Sequence, residues 1–109
     1  MRNKYHAQKV VFRGERFDSR KEADRYGQLL LLERAGKIKD LRRQCRFELV
    51  PPQRIDGKIA ERAVVYVADF VYKRDGETVV EDAKGVKTPE YILKRKLMLY
   101  LRGIRIKET

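Results

Sequence analysis

The sequence predicts an α/β domain with a mixed sheet, its elements ordered helix, three strands, helix, strand. Three observations carry this. Two apolar stretches with helical spacing open on capping signals, at Ser19 and at Thr88. Two Asp-Gly turns, Asp56-Gly57 and Asp75-Gly76, flank a long run of β-branched and aromatic residues. A short alternating segment, Ile104-Arg105-Ile106-Lys107, follows the second helix.

Along the chain, residues 1–9 read as a basic arm, followed by a small hairpin built from Val10-Val11-Phe12 and the stretch through Phe17 around Arg13-Gly14. Ser19-Arg20-Lys21-Glu22 has the spacing of a capping box. The helix it opens should run to about Ala35, with Gly36 as the residue that ends it. At about 100° per residue, Glu22, Ala23, Tyr26, Leu29 and Leu30 share one stripe, which puts a carboxylate at the N-terminal end of the core-facing side. Leu31 and Leu32 fall off that stripe and call for a second packing surface, from another segment or another subunit.

Cys45 to Val50 reads as an edge strand with a bulge or an early end, because Pro51 and Pro52 follow it. Ala63 to Tyr72 reads as the central strand and Thr78 to Lys84, ended by Gly85, as a third. With the two Asp-Gly turns these make an antiparallel meander. Thr88-Pro89-Glu90 supplies an N-cap, a proline at the first helical position and an acid in the first turn. That helix ends at Gly103, and the alternating segment is the last strand.

Composition narrows the function. With 109 residues the chain suits one domain, residues 1–109. Its 27 Lys+Arg against 16 Asp+Glu give a net charge of +11, which points to a polyanion and most often to nucleic acid. No apolar run approaches the roughly 20 residues that span a bilayer, and the start of the chain lacks the apolar region of a secretory signal. A single cysteine, Cys45, excludes an internal disulfide and a cysteine zinc cluster. A reduced intracellular domain with no membrane partner is expected.

The acidic residues then become informative. With Asp75 and Gly76 as the turn residues, Asp69 falls directly opposite Asp82, and both side chains point to one face. Lys84 shares that face while Glu81 and Ala83 point away. Like charges opposed on a sheet, with Cβ atoms about 5 Å apart, cost stability. A divalent cation such as Mg²⁺ or Mn²⁺ is the simplest reason for such a pair.

The spacing Asp69-x12-Asp82-Ala83-Lys84 resembles the PD-(D/E)xK nuclease superfamily, and the likeness covers the chain from about Ser19 to Lys107. Within that superfamily it is similar to small phage-encoded endonucleases and Holliday-junction resolvases. The resemblance implies an αβββαβ restriction-endonuclease-like core, a mixed sheet flanked by helices. It further implies a metal-dependent DNA endonuclease that leaves 5′-phosphate and 3′-hydroxyl ends, acting on branched DNA like a resolvase or as a nickase. Asp69 and Asp82 would be metal ligands, with the Ala83 carbonyl as a third. Lys84 would position or activate the water, and Glu22, standing where the first helix of the family often supplies another acid, would bind the metal directly or through water. Mg²⁺ is the expected cofactor with Mn²⁺ as a substitute, and duplex or branched DNA the expected partner. A homodimer is open, and the compartment would be the cytoplasm, of a bacterial host if the protein is phage-encoded. Ala68 stands where the family often has proline.

Plainer readings stand beside these. Glu22 answers equally to completing a capping box with Ser19. Asp69 could pair with an arginine, Asp82 and Lys84 could form a surface ion pair, and a one-residue slip would exchange Glu81 for Asp82. His6 and Cys45 have no partner with which to form a site. Arg42, Arg43, Arg46, Lys87, Lys94, Arg95 and Lys96 are candidate phosphate contacts, which together would set the salt dependence of binding. A non-catalytic basic nucleic-acid-binding module, of ribosomal or packaging type, is the alternative function.

Overall fold

Local sequence signals set both helices. In the computed structural model, which describes residues 9–83 and 86–109, Ser19 caps helix α1 (Arg20–Arg34). The Ser19 hydroxyl accepts the Glu22 N–H at 3.1 Å. At the other end, Gly36 with φ of 75° and Lys37 return their N–H groups to the carbonyls of Glu33 and Leu32. Helix α2 (Pro89–Arg102) is capped by the Thr88 hydroxyl on the Tyr91 N–H and ends at Gly103 in the left-handed region. His6, most of the basic arm, Lys84 and Gly85 lie outside the described residues.

The strands are β1 (Val10–Phe12), β2 (Glu15–Phe17), β3 (Lys39–Val50), β4 (Gln53–Ile55), β5 (Lys58–Glu61), β6 (Val64–Arg74), β7 (Glu77–Asp82) and β8 (Lys107–Glu108). A four-stranded sheet runs in the order β3-β6-β7-β8, antiparallel except for the parallel β7–β8 pair. This is a mixed α/β arrangement, and β1–β2 is the expected hairpin.

Three expectations shift. The edge strand begins at Lys39 rather than Cys45, and Asp40 with φ of 56° sits in its first irregularity. The Asp56-Gly57 turn closes a separate ribbon, β4–β5, instead of joining two strands of the main sheet. Pro51 and Pro52 account for that, since neither has an N–H with which to continue the ladder. The last strand moves from Ile104–Lys107 to Lys107–Glu108, because Ile106 is buried against α2 and only the residues after it reach β7.

The core has two halves, one on each face of the sheet. Tyr66, Ala68, Val71 and Val80 pack with Tyr91 and Met98 of α2. Phe70 and Tyr72 pack with Leu29 of α1 and with Ile38, and Leu32 rests partly buried against them while Leu31 stays exposed.

Between these halves the strands turn over. On β6, Tyr66 and Ala68 face α2, whereas Phe70 and Tyr72 face α1. On β3, Cys45, Phe47 and Leu49 face α2, whereas Leu41 packs with the α1 half and Arg43 lies over Phe17. Arg43 pairs with Phe70 and Cys45 with Ala68, so no residue is inserted and both strands reverse together at Gln44 and Asp69. Gln44 carries the change with φ of 51°. Among the described residues, no helix is long and apolar enough to cross a membrane.

Candidate active site

The register of the β6–β7 hairpin follows the Asp75-Gly76 turn, pairing Arg74 with Glu77 and Phe70 with Glu81. Asp69 is the next residue of β6, half-buried at the point of reversal. Its Oδ2 accepts the Ala83 N–H at 2.8 Å, and its Oδ1 accepts the Gln44 side-chain amide at 3.4 Å. The same Gln44 nitrogen donates to Glu22 Oε2 at 3.2 Å, so one amide joins an acid of α1 to an acid of β6.

Glu22 is 3% exposed, at the start of the inward stripe. Its backbone N–H takes part in the N-cap, while its carboxylate turns to Gln44 and to Arg43 Nη2 at 3.4 Å. Burial and then the charge of Asp69 push its carboxyl above the usual carboxylate range, against the opposing pull of Arg43.

Asp82 is fully buried and takes the Tyr66 hydroxyl on Oδ2 at 2.6 Å. Burial foremost, then Asp82, pushes the Tyr66 hydroxyl far above its ordinary value, and Asp69 adds to the shift. The charge of Asp69 thus acts on Glu22 and on the hydroxyl that holds Asp82.

Glu81, the alternative to Asp82, lies on the α1 face. Arg25 grips both its oxygens, Nε on Oε1 at 2.8 Å and Nη2 on Oε2 at 2.7 Å, and the Tyr72 hydroxyl donates to Oε2. Burial works against that charge, but the Arg25 fork and Tyr72 outweigh it and hold the carboxyl below its ordinary range. Lys84 falls outside the described residues.

The candidate phosphate contacts divide. Arg42, Arg46 and Lys96 are exposed. Arg43 is internal: its fork serves Glu15 at 2.8 Å, the Arg16 carbonyl at 3.0 Å and Glu22, with the guanidinium 3.8 Å above the Phe17 ring centre. Lys94 pairs with Glu90, while Lys87 and Arg95 pair with Glu108. The Tyr91 hydroxyl, then Lys87 and Arg95, hold the Glu108 carboxyl down to about 2. Arg95 and Lys96 line a cavity of about 320 Å³ with Leu99, Arg105, Ile106 and Glu108.

Sequence reasoning missed Gln44, Tyr66 and Arg25. The strand register would have offered Gln44 as the partner of Asp69 only had β3 been extended back from Cys45. Nothing in the pattern marks Tyr66 or Arg25.

The donor chemistry suits a hard divalent cation. Glu22 and Asp69 offer carboxylate oxygens, and the repulsion from Asp69, which adds to burial in raising the Glu22 carboxyl, is of the kind a cation offsets. Gln44 brings an amide oxygen as well as the nitrogen now between the two acids. Among the described residues, no three His, Cys, Asp or Glu side chains come together as a group that could hold a metal ion. No curated protein and no solved structure matches the chain. A family model described as "Protein of unknown function (DUF1064)" matches residues 2–107, and the chain belongs to that family.

Proposed function

We propose that this protein is a metal-dependent DNA endonuclease with a restriction-endonuclease-like αβββαβ core. The observation that carries this reading is the position of Asp69, bonded to Ala83 of the Asp82-Ala83-Lys84 motif and through Gln44 to Glu22. The order α1, β3, β6, β7, α2, β8 around one mixed sheet supports the same reading.

Glu22, Asp69 and Asp82 would hold Mg²⁺ or Mn²⁺, joined by the Ala83 carbonyl. The ion supplies charge stabilisation at a phosphoryl oxygen and a water of lowered pKa. Lys84 would orient such a water and offset charge developing on the phosphate. Tyr66 fixes the direction of Asp82 from beneath, and Gln44 keeps Glu22 and Asp69 together despite their repulsion. Arg42, Arg46 and Lys96 are the expected residues for the phosphodiester backbone, in an interaction that weakens steeply with salt. Branched or recombination-intermediate DNA is the substrate class we favour, following the resemblance of the Asp69, Asp82 and Lys84 motif to that of Holliday-junction resolvases.

The test is cleavage of end-labelled supercoiled plasmid, linear duplex, single strand and four-way junction in Mg²⁺, Mn²⁺ and EDTA, with Asp82→Ala as control. Metal-dependent cutting that the substitution abolishes is expected. Tight, salt-sensitive binding without cutting in either metal would overturn the enzyme reading and leave a basic binding module.

A further inference from the structure

The β4–β5 ribbon is a part of the fold that the proposed chemistry does not use. Every residue from 51 to 62 is exposed, and the ribbon shares no ladder with the main sheet. It is closed by Asp56 and Gly57 with φ of 52° and 76°, the positive pair that a tight two-residue hairpin requires. A lone two-stranded hairpin is marginally stable in water, so this one gains little from its own contacts.

Its side chains are distributed unusually. Ile55 pairs with Lys58, and Arg54 with Ile59, so each face carries one isoleucine and one cation, while the acids Asp56, in the turn, and Glu61, opposite Gln53, sit at the two ends of the ribbon. The two isoleucines are 67% and 54% exposed. Arg54 reaches over the turn to the Gly57 carbonyl at 3.2 Å, and Arg62 follows β5. Neither face is an apolar stripe of the kind that a second protein surface would cover. A second copy of a chain carrying +11 is repelled, while a polyanion is attracted.

We infer that the β4–β5 ribbon is an arm that enters a groove of duplex DNA. This rests on the reading of DNA as the substrate and specifies how it is held. The major groove is wide enough for a two-stranded ribbon, whose two faces then meet nucleic acid on both sides. Cations on both faces suit the phosphate walls, and an aliphatic side chain beside each suits the bases or a thymine methyl. Gln44 is midway along β3, so the root of the ribbon stands about 20 Å of strand from the acids at roughly 3.3 Å per residue. That is less than one duplex turn, about 34 Å, so one helix of DNA spans the acids and the arm.

Binding of the full chain to a fluorescent duplex in EDTA, where no cutting occurs, tests this. Arg54→Glu/Lys58→Glu should weaken binding about tenfold or more and lower the salt slope by roughly two. Ile55→Ser/Ile59→Ser should weaken binding with the salt slope kept. All four positions are exposed, and circular dichroism checks that both variants fold. Unchanged affinity in both variants overturns the proposal, as does a wild type that fails to bind duplex. So does a wild-type dimer that Ile55→Ser/Ile59→Ser turns into a monomer with its DNA affinity intact, which would make the ribbon a protein contact. The two readings fail separately. Weakened binding in a protein that never cuts keeps the arm and removes the enzyme; cutting with unaltered binding does the reverse.

Discussion

Gln44 and Asp69 face each other across β3 and β6 at the one point where both strands turn over, and their side chains touch there at 3.4 Å. The reversal lets Asp69 serve both halves of the sheet. On one side it meets Gln44 and the Glu22 network, and on the other it caps Ala83 beside the Tyr66-bound Asp82. A left-handed glutamine within a strand costs about 1 kcal/mol or more, and such strain tends to gather at functional sites.

Gln44→Gly separates the backbone role of this residue from its amide. Glycine adopts the positive φ freely, so relief of strain should offset the lost hydrogen bonds and leave stability within about 1 kcal/mol. The Glu22 carboxyl, deprived of a donor, should titrate still higher. Carboxyl NMR titration reads this directly; a Glu22 pKa that falls or stays put contradicts the assignment.

Arg25 holds a fully buried carboxylate, so removing it leaves Glu81 buried with the Tyr72 hydroxyl but without its paired cation. Arg25→Met should cost about 3–5 kcal/mol in urea unfolding, and Arg25→Met/Glu81→Leu markedly less than the two single losses together. Additive losses would contradict the pairing.

Tyr66→Phe removes the hydroxyl from Asp82 without emptying the core. A loss of about 1–3 kcal/mol is expected, together with weaker Mn²⁺ binding by calorimetry if Asp82 is a ligand. Loss of stability with Mn²⁺ affinity unchanged would leave Asp82 a structural acid.

Glu108 sets a pH dependence. Its folded carboxyl lies near 2, below the ordinary 4.5, so its stabilisation is complete above that ordinary value and is lost as pH falls towards 2. Glu108→Gln should therefore lower the melting temperature near neutral pH and make little difference at about pH 2. An equal penalty at both pH values would contradict the ion-pair origin.

Much of the fold is legible because its signals are local. Ser19, Gly36, Thr88, Pro89 and Gly103 mark the helix ends through capping chemistry that involves a few neighbouring residues. Asp75-Gly76 sets the β6–β7 register for the same reason. Asp56-Gly57 is equally legible as a turn, but the sheet its strands join depends on where Pro51 and Pro52 release the ladder. The reversal at Gln44 and Asp69 leaves no trace in the pattern. Leu41, Cys45, Phe47 and Leu49 keep their alternation through it, as do Tyr66, Ala68, Phe70 and Tyr72, because both faces of the sheet are covered and each demands apolar residues. Arg43 shows the limit of reading charge. It looks like any other basic surface residue, yet Phe17, Glu15 and Glu22, distant in sequence, draw it inside.

Plasmid nicking by the wild type and by Asp69→Asn, at matched folded fractions in Mg²⁺ and in EDTA, tests the central claim most directly. Asparagine keeps the size of the side chain and removes its charge. Nicking by the wild type that EDTA stops is expected, with a loss of roughly a hundredfold or more in the variant. Nicking by Asp69→Asn at the wild-type rate, or by the wild type in EDTA, would contradict it.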